Sequence, residues 1–241
     1  GHMVNKWRNQ LVDALFPQLC LLCRLPSANP LPLCTECAAQ LVENRCSCYH
    51  CALPLPEGGP ALCAACLEQP PLLDGVLAPF IYEPHLGYLI GQWKFQGQRR
   101  LSGLLACLWL AAVDPPQDRD MLLPVPIHWR RLLGRGFNQA SLLAGSLQQL
   151  APELAGVTLQ DRLLRRCRPT PAQSSLNAQQ RARNLSDAFK LKGAVKGKRI
   201  AIIDDVMTTG ATGEAIARAL KAAGAEDVQL WCLARTPPPP T

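Results

Sequence analysis

Aromatic residues make up only 5% of this 241-residue chain, so a surface built from rows of stacked rings is poorly supported. In the basic central part, Trp93, Phe95, Trp129 and Phe137 are the plausible stacking platforms. Acidic residues are in the minority, 18 against 25 Lys and Arg, for a formal net charge of +7. No stretch supplies the roughly 20 consecutive apolar residues that a bilayer-spanning helix needs, so no transmembrane segment is expected. The first turn-forming stretch, Val4 to Pro17, carries apolar Val4, Trp7, Leu11, Val12, Leu15 and Phe16 between Lys6, Arg8 and Asp13. It reads as a short amphipathic helix that packs on the next module or touches a membrane surface, and it is too charged for an export signal. The expected location is cytoplasmic, with membrane-peripheral contact as the other reading. Gly1-His2-Met3 have the look of an expression scar, leaving 1–17 as scar plus helix.

Cysteine is abundant, with 12 residues. Without an export signal, clustered cysteines in a reducing compartment read as metal ligands rather than disulfides. Nine lie between Cys20 and Cys66, eight of them as Cys20-x-x-Cys23, ten residues, Cys34-x-x-Cys37, then Cys48-x-x-Cys51, eleven residues, Cys63-x-x-Cys66. Four thiolates at such spacings make a closed, tetrahedral, structural zinc site. Prolines and Gly58-Gly59 fill the intervening loops and no apolar run offers a core, so folding of 18–73 is expected to rest on metal. Spacing leaves open whether the knuckles pair in sequence or cross over, and whether one or two zinc ions bind. Cys46 and His50 are spare donors, read as bystanders.

The centre of the chain's chemistry is Ile200 to Thr212, I-A-I-I-D-D-V-M-T-T-G-A-T. Its apolar start is the signature of a strand buried on both faces of a parallel sheet. Alternation along an extended backbone is expected to splay Asp204 and Asp205, which suits two hydroxyls better than an acid/base dyad. Thr208, Thr209, Gly210, Ala211 and Thr212 then open a helix, Gly213 to Ala223, whose exposed amides favour phosphate. Carboxylates for ribose hydroxyls and a loop for a 5′-phosphate together suit a phosphorylated sugar. An ordinary βα unit would use the same Asp and Thr side chains as helix caps.

Earlier in the chain, Val76 to Tyr82 reads as a strand with Pro79 demanding an edge position or a bulge. Helices follow over Leu86 to Phe95 and Leu101 to Val113, the second apolar nearly all round. Met121 to Val125 is the next buried strand. The loop after it, with Arg131, Arg135 and Gly136, offers fork-shaped donors and close backbone approach to a pyrophosphate, or is simply a solvated basic loop. The last strand is expected over Val228 to Leu233, after Gly224 stops the helix.

The thirteen residues from Ile200 closely resemble the phosphoribosyl pyrophosphate motif of type I phosphoribosyltransferases. That resemblance implies ribose contacts from Asp204 and Asp205 and a 5′-phosphate loop over Thr208 to Thr212. Taken with Lys94-Phe95, Pro124-Val-Pro126, Arg135-Gly-Phe-Asn-Gln139, Thr170-Pro-Ala-Gln173, Arg181-x-Arg183-Asn184, Ala188-Phe189 and the cysteine knuckles, the chain resembles the ComF family of competence or DNA-utilisation proteins over Cys20 to Arg235. One departure is Cys48-Tyr49-His50-Cys51-Ala52, which lacks the glycine common just after such a knuckle. The fold implied is α/β: a type I phosphoribosyltransferase-like parallel sheet flanked by helices over 74–235, preceded by an N-terminal zinc-ribbon-like cysteine module over 18–73. A proline-rich tail, 236–241, reads as disordered.

Charge is localised. Lys94 to Arg199 holds 18 Lys and Arg against 6 Asp and Glu. Lys94, Arg99, Arg100, Arg162, Arg165, Arg166, Arg168, Arg181 and Arg183 are the candidate contacts to a nucleic-acid backbone, against a phosphate-rich small-molecule site plus ordinary surface arginines. Two functions compete. One is a DNA-uptake or DNA-utilisation accessory that holds single-stranded DNA on a basic face, binds phosphoribosyl pyrophosphate and works beside DNA-uptake machinery. The other is an active phosphoribosyltransferase in which magnesium accompanies phosphoribosyl pyrophosphate and stabilises the leaving pyrophosphate. No segment reads as a nucleobase-covering hood.

Overall fold

A computed structural model of the chain describes residues 18–95, 100–127, 136–167 and 188–237. In chain order the helices are α1 (Thr35–Ala38), α2 (Ala64–Glu68), α3 (Pro84–Phe95), α4 (Arg100–Ala112), α5 (Gln139–Leu150) and α6 (Ala211–Ala222). The strands are β1 (Gly75–Leu77), β2 (Phe80–Ile81), β3 (Met121–Pro124), β4 (Thr158–Leu159), β5 (Leu164–Arg166), β6 (Phe189–Leu191), β7 (Arg199–Ile203), β8 (Val206–Met207), β9 (Asp227–Trp231) and β10 (Ala234–Arg235). The amphipathic segment before Pro17, the tail beyond residue 237 and most of the loop after β3 lie outside the described residues.

Five strands form one parallel sheet in the order β1-β9-β7-β3-β4. The apolar run at Ile200 therefore occupies the middle of the sheet, and period-two alternation divides its side chains between two cores. Ala201 and Ile203 face one side with Leu122, Trp231 and the inward faces of α3, α4 and α5. Ile200 and Ile202 face the other with Leu123, Val228, Leu230 and Ile216 and Leu220 of α6. Trp109 of α4 stacks on Trp231 of β9 with ring centroids 5.4 Å apart, and donates its indole N–H to the Cys232 carbonyl at 3.0 Å.

Pro79 does break its strand: β1 forms an edge of the main sheet, while β2 crosses to a smaller sheet with β10 and β8. The final strand likewise divides into β9 and β10, because Cys232 and Leu233 carry the chain between the two sheets. Gly224 ends α6 with φ +89°. Sequence periodicity did not indicate β5–β6, an antiparallel ribbon that pairs Arg165 with Lys190 and Arg166 with Phe189. Two strands of three residues each are too short for a period to register.

The cysteine knuckles pair in sequence. Cys20, Cys23, Cys34 and Cys37 gather their sulfurs within 4.8 Å of one another, as do Cys48, Cys51, Cys63 and Cys66. All are free thiols. Cross-knuckle Sγ–Sγ distances of 3.8 Å (Cys23–Cys34) and 3.7 Å (Cys51–Cys63) match the edge of a tetrahedron with Zn–S of about 2.3 Å, and a disulfide would need about 2.0 Å. Both quartets thus fit structural zinc. Backbone N–H groups of Cys23, Cys34 and Leu22 bring the Cys20 thiol down to about 6 against the upward push of desolvation. The thiol of Cys37, desolvated and beside other sulfurs, is pushed up to about 12. Four coexisting thiolates need a dication between them. Neither quartet region stands alone: Cys20, Leu33, Cys37 and Leu41 join the core of α3 to α5, and Ala52 joins the core of α6. The 18–73 segment thus borrows a core from the sheet.

Candidate functional site

A cleft of about 220 Å³ opens at the carboxyl edge of the parallel sheet, where β3 and β7 end. Asp204 and Asp205 follow β7 directly. The strand has ended at Ile203, so alternation no longer governs the pair, and both carboxylates line the same cleft rather than opposite sides of the sheet. They are held differently. Asp204 Oδ1 accepts the Asp205 N–H at 2.8 Å, while Asp205 accepts the Val206 N–H at 2.6 Å and pairs with Lys94 Nζ at 2.6 Å. Desolvation in the cleft floor, with the Asp205 charge beside it, pushes the Asp204 carboxyl well above the ordinary carboxylate range. Asp205 is thus paired with a lysine, while Asp204 holds a proton more tightly than a free carboxyl.

Two helix N-termini turn toward this cleft. Asn138 caps α5, its side chain accepting the Ala140 N–H and donating to the Val125 carbonyl at 3.0 Å, which fixes α5 to the end of β3. Asn138, Gln139 and Ala140 line the cleft beside it. Gly136, two residues earlier, has φ +77°. At α6, Gly210 is the N-cap with φ +80° and ψ −4°, and a Cβ there would come within 2.6 Å of Met207 Cε. Glycine is thus required by conformation, since the methyl end of Met207 is free to shift while the positive φ is not. Thr212 lines the cleft, while Thr208, Thr209 and Ala211 are exposed and Thr209 Oγ1 accepts the Ala211 N–H.

The charges sorted by sequence as one basic face fall in different places. Lys94, from α3, lies in the cleft against Asp205. Arg166 lines both the cleft and a neighbouring groove of about 560 Å³, with its guanidinium 5.7 Å over the Phe189 ring. Arg162 and Arg165 line only the groove, joined by Lys192, which follows β6. Arg100 is exposed at the first residue of α4. Arg99, Arg131, Arg135, Arg168, Arg181 and Arg183 lie outside the described residues. Arg165 and Lys190 stand directly opposite each other on the β5–β6 ribbon. Like charges so placed destabilise a strand pair unless an anion lies over them.

Gln139 was not singled out by sequence reasoning as a site residue, although it closes the Arg135-Gly-Phe-Asn-Gln139 run. It is 5% exposed, lines the cleft, and its Nε2 has no hydrogen-bond partner among the described residues. A buried donor without an acceptor costs about 1–3 kcal/mol, so a ligand oxygen is its natural complement. Among the described residues no helix is long and apolar enough to cross a membrane.

Comparison with known proteins adds to this geometry. Residues 11–67 match the family described as "Double zinc ribbon domain", and residues 141–239 match "Phosphoribosyl transferase domain". The chain is 38% identical over 228 residues to the DNA utilization protein YhgH of Salmonella typhi, covering 91% of this chain and 98% of that one. It is 35% identical to Competence protein F of Haemophilus influenzae, covering 84% and 90%. Competence protein ComFC of Streptococcus pneumoniae is 30% identical over 66% of this chain and 67% of its own.

Proposed function

Since this chain belongs to the ComF family of competence and DNA-utilisation proteins, we propose that it handles single-stranded DNA and that its cleft binds phosphoribosyl pyrophosphate. The observation that carries the reading is the meeting, in one cleft, of Asp204 and Asp205 with Lys94, Arg166, the unpartnered Gln139 amide and two helix N-termini. Carboxylates face hydroxyls and cations face phosphates, which is the charge pattern of a sugar carrying phosphate at both ends. Asp204 and Asp205 take the ribose hydroxyls, and Thr208 to Thr212 take the 5′-phosphate at the start of α6. Lys94, Arg166 and the loop holding Arg131, Arg135 and Gly136 take the pyrophosphate. Magnesium accompanying the pyrophosphate would supply positive charge there and would be held by the pyrophosphate and the ribose hydroxyls, which Asp204 and Asp205 in turn orient.

The DNA backbone lies in the groove of Arg162, Arg165 and Lys192, where the opposed Arg165 and Lys190 gain a shared anion. Because Arg166 lines both spaces, it is not a clean probe of either. The test replaces Arg162 and Arg165 by alanine in the full chain. Salt-dependence plots for single-stranded DNA should become shallower by about one to one and a half units, at roughly −0.7 per phosphate neutralised. Calorimetric affinity for phosphoribosyl pyrophosphate with magnesium should stay at the wild-type value. An unchanged salt slope removes DNA from this groove. Pyrophosphate release that depends on one added nucleobase would instead make the protein a transferase.

A further inference from the structure

The cleft's phosphate-side loop is tied to the second cysteine quartet through a single guanidinium. Arg235, at the end of β10, donates from Nε to the Cys51 carbonyl at 2.9 Å and from Nη1 to the carbonyls of Thr208, Met207 and Thr236. Cys51 belongs to the Cys48–Cys66 quartet, and Thr208 opens the Thr208–Thr212 loop. The planar fork of arginine satisfies acceptors in two directions at once, over a span that the single nitrogen of an ammonium does not cover. Backbone pairing reinforces the tie on the loop side: Arg235 stands opposite Met207 in the β10–β8 ladder, and the Thr236 N–H reaches the Met207 carbonyl at 2.9 Å.

The position of the Cys51 carbonyl depends on the metal-binding turn. Ala52 donates its N–H to the Cys48 carbonyl at 2.7 Å and Cys48 donates to the Leu53 carbonyl at 2.8 Å, with Ala52 in the left-handed region at φ +53°. That conformation is unfavourable for a non-glycine residue. Coordination by Cys48 and Cys51 is what would hold the turn closed. A second tie reaches the far side of the same loop: Glu214, in the first turn of α6, accepts the N–H groups of Leu72 and Leu73 at 3.0 and 3.3 Å, and the Leu73 carbonyl is 3.2 Å from His50 Nδ1. The loop is thus bracketed by the second quartet, before Thr209 and after Gly210.

We propose that Arg235 is a positioning residue that couples metal occupancy of the second quartet to the conformation of the Thr208–Thr212 loop, and hence to ligand affinity in the cleft. The proposal rests on the reading of that cleft as a sugar-phosphate site, but its central test needs no ligand. Coupling is reciprocal, so ligand binding must also strengthen metal retention at that quartet.

The experiment compares full-length wild type with Arg235→Met and Arg235→Lys. Amide hydrogen exchange at Thr208–Thr212 should quicken at least tenfold in Arg235→Met and by an intermediate factor in Arg235→Lys, with zinc content unchanged. Pulsed cysteine alkylation, read by mass spectrometry after a chelator, distinguishes the two quartets. Saturating phosphoribosyl pyrophosphate should slow alkylation of Cys48, Cys51, Cys63 and Cys66 in wild type, leave Cys20, Cys23, Cys34 and Cys37 unchanged, and lose this effect in Arg235→Met. Unaltered exchange in Arg235→Met overturns the coupling, as does equal ligand protection in both proteins. Failure of wild type to bind phosphoribosyl pyrophosphate would sink the functional reading while the exchange measurement still decides the coupling.

Discussion

The two cysteine quartets are built alike and attached differently. Each begins with the same pair of backbone hydrogen bonds, Cys20 N–H to Leu25 with Arg24 N–H to Cys20, and Cys48 N–H to Leu53 with Ala52 N–H to Cys48. Each places a non-glycine residue at positive φ just after its first knuckle, Arg24 at +63° and Ala52 at +53°. Each has a short helix at its second knuckle, α1 or α2. Yet the first quartet lies against the core beneath α3 to α5, sharing it through Cys20, Leu33 and Cys37. The second lies on the other face of the sheet, tied to the cleft's loop by Arg235. A repeated metal unit is locally interchangeable, and the surface beneath it decides what it contributes.

The strongest break in that comparison is removal of one ligand from each quartet. Cys37→Ser and Cys66→Ser should each lower zinc content from two ions to one, with losses of stability above about 4 kcal/mol for the ribbon concerned. Thermal melts should register Cys37→Ser in the main transition, because its ribbon shares the sheet's core. Cys66→Ser should instead cost more in phosphoribosyl pyrophosphate affinity than in melting temperature. Equal proportions of the two losses in both variants would erase the distinction.

Defects placed in the cleft itself calibrate those transmitted from a ribbon. Asp204→Ala with Asp205→Ala removes charge-assisted bonds worth about 1.5–3 kcal/mol each, so ligand affinity by calorimetry should fall at least tenfold. Asp204 alone also leaves a signature in pH. Its folded carboxyl holds a proton more tightly than the unfolded one, so this stabilisation is complete below the ordinary carboxylate range and is lost as pH rises through the raised folded value. Asp204→Asn should therefore flatten the stability profile over that interval and raise stability at neutral pH, read from denaturant melts. Gln139→Leu removes a buried donor that lacks a partner, so stability should rise by about 1 kcal/mol while ligand affinity falls about tenfold.

The smallest expected effects sharpen the comparison most. Arg24 is exposed and Ala52 fully buried. Glycine at either site relieves a left-handed backbone cost of about 1 kcal/mol. Arg24→Gly should keep most of that gain, less its hydrogen bond to the Tyr88 hydroxyl. Ala52→Gly gives up a buried methyl worth about 0.8 kcal/mol, so its net change by chemical denaturation should be near zero. A large loss in Ala52→Gly would mean that the methyl wedges the second ribbon against the α6 core.

The Cys48-Tyr-His-Cys51-Ala52 departure from a glycine-ended knuckle shows how far sequence reasoning reached. It raised the correct question about the turn, and the answer is an alanine at φ +53° whose methyl is buried. Lys94 and Arg166 teach the complementary lesson. Sequence placed both on a single basic face by proximity in the chain, whereas Lys94 meets Asp205 across 111 positions and Arg166 enters the same cleft from a ribbon too short to have a period.

What the amino-acid order determined by itself was everything carried by spacing and alternation. Local geometry fixed the four Cys-x-x-Cys knuckles, the buried run of β7, the glycine at the start of α6 and the loop beyond the two acids, because the residues involved are neighbours and their backbone torsions are short-range. How the knuckles pair, which quartet meets which core, why the Asp204 carboxyl is pushed up while Asp205 takes a lysine, and how Arg235 reaches from Cys51 to Thr208 were decided only by the tertiary structure. Those outcomes depend on desolvation and on contacts between distant segments, and neither quantity is defined until the sheet has closed around them.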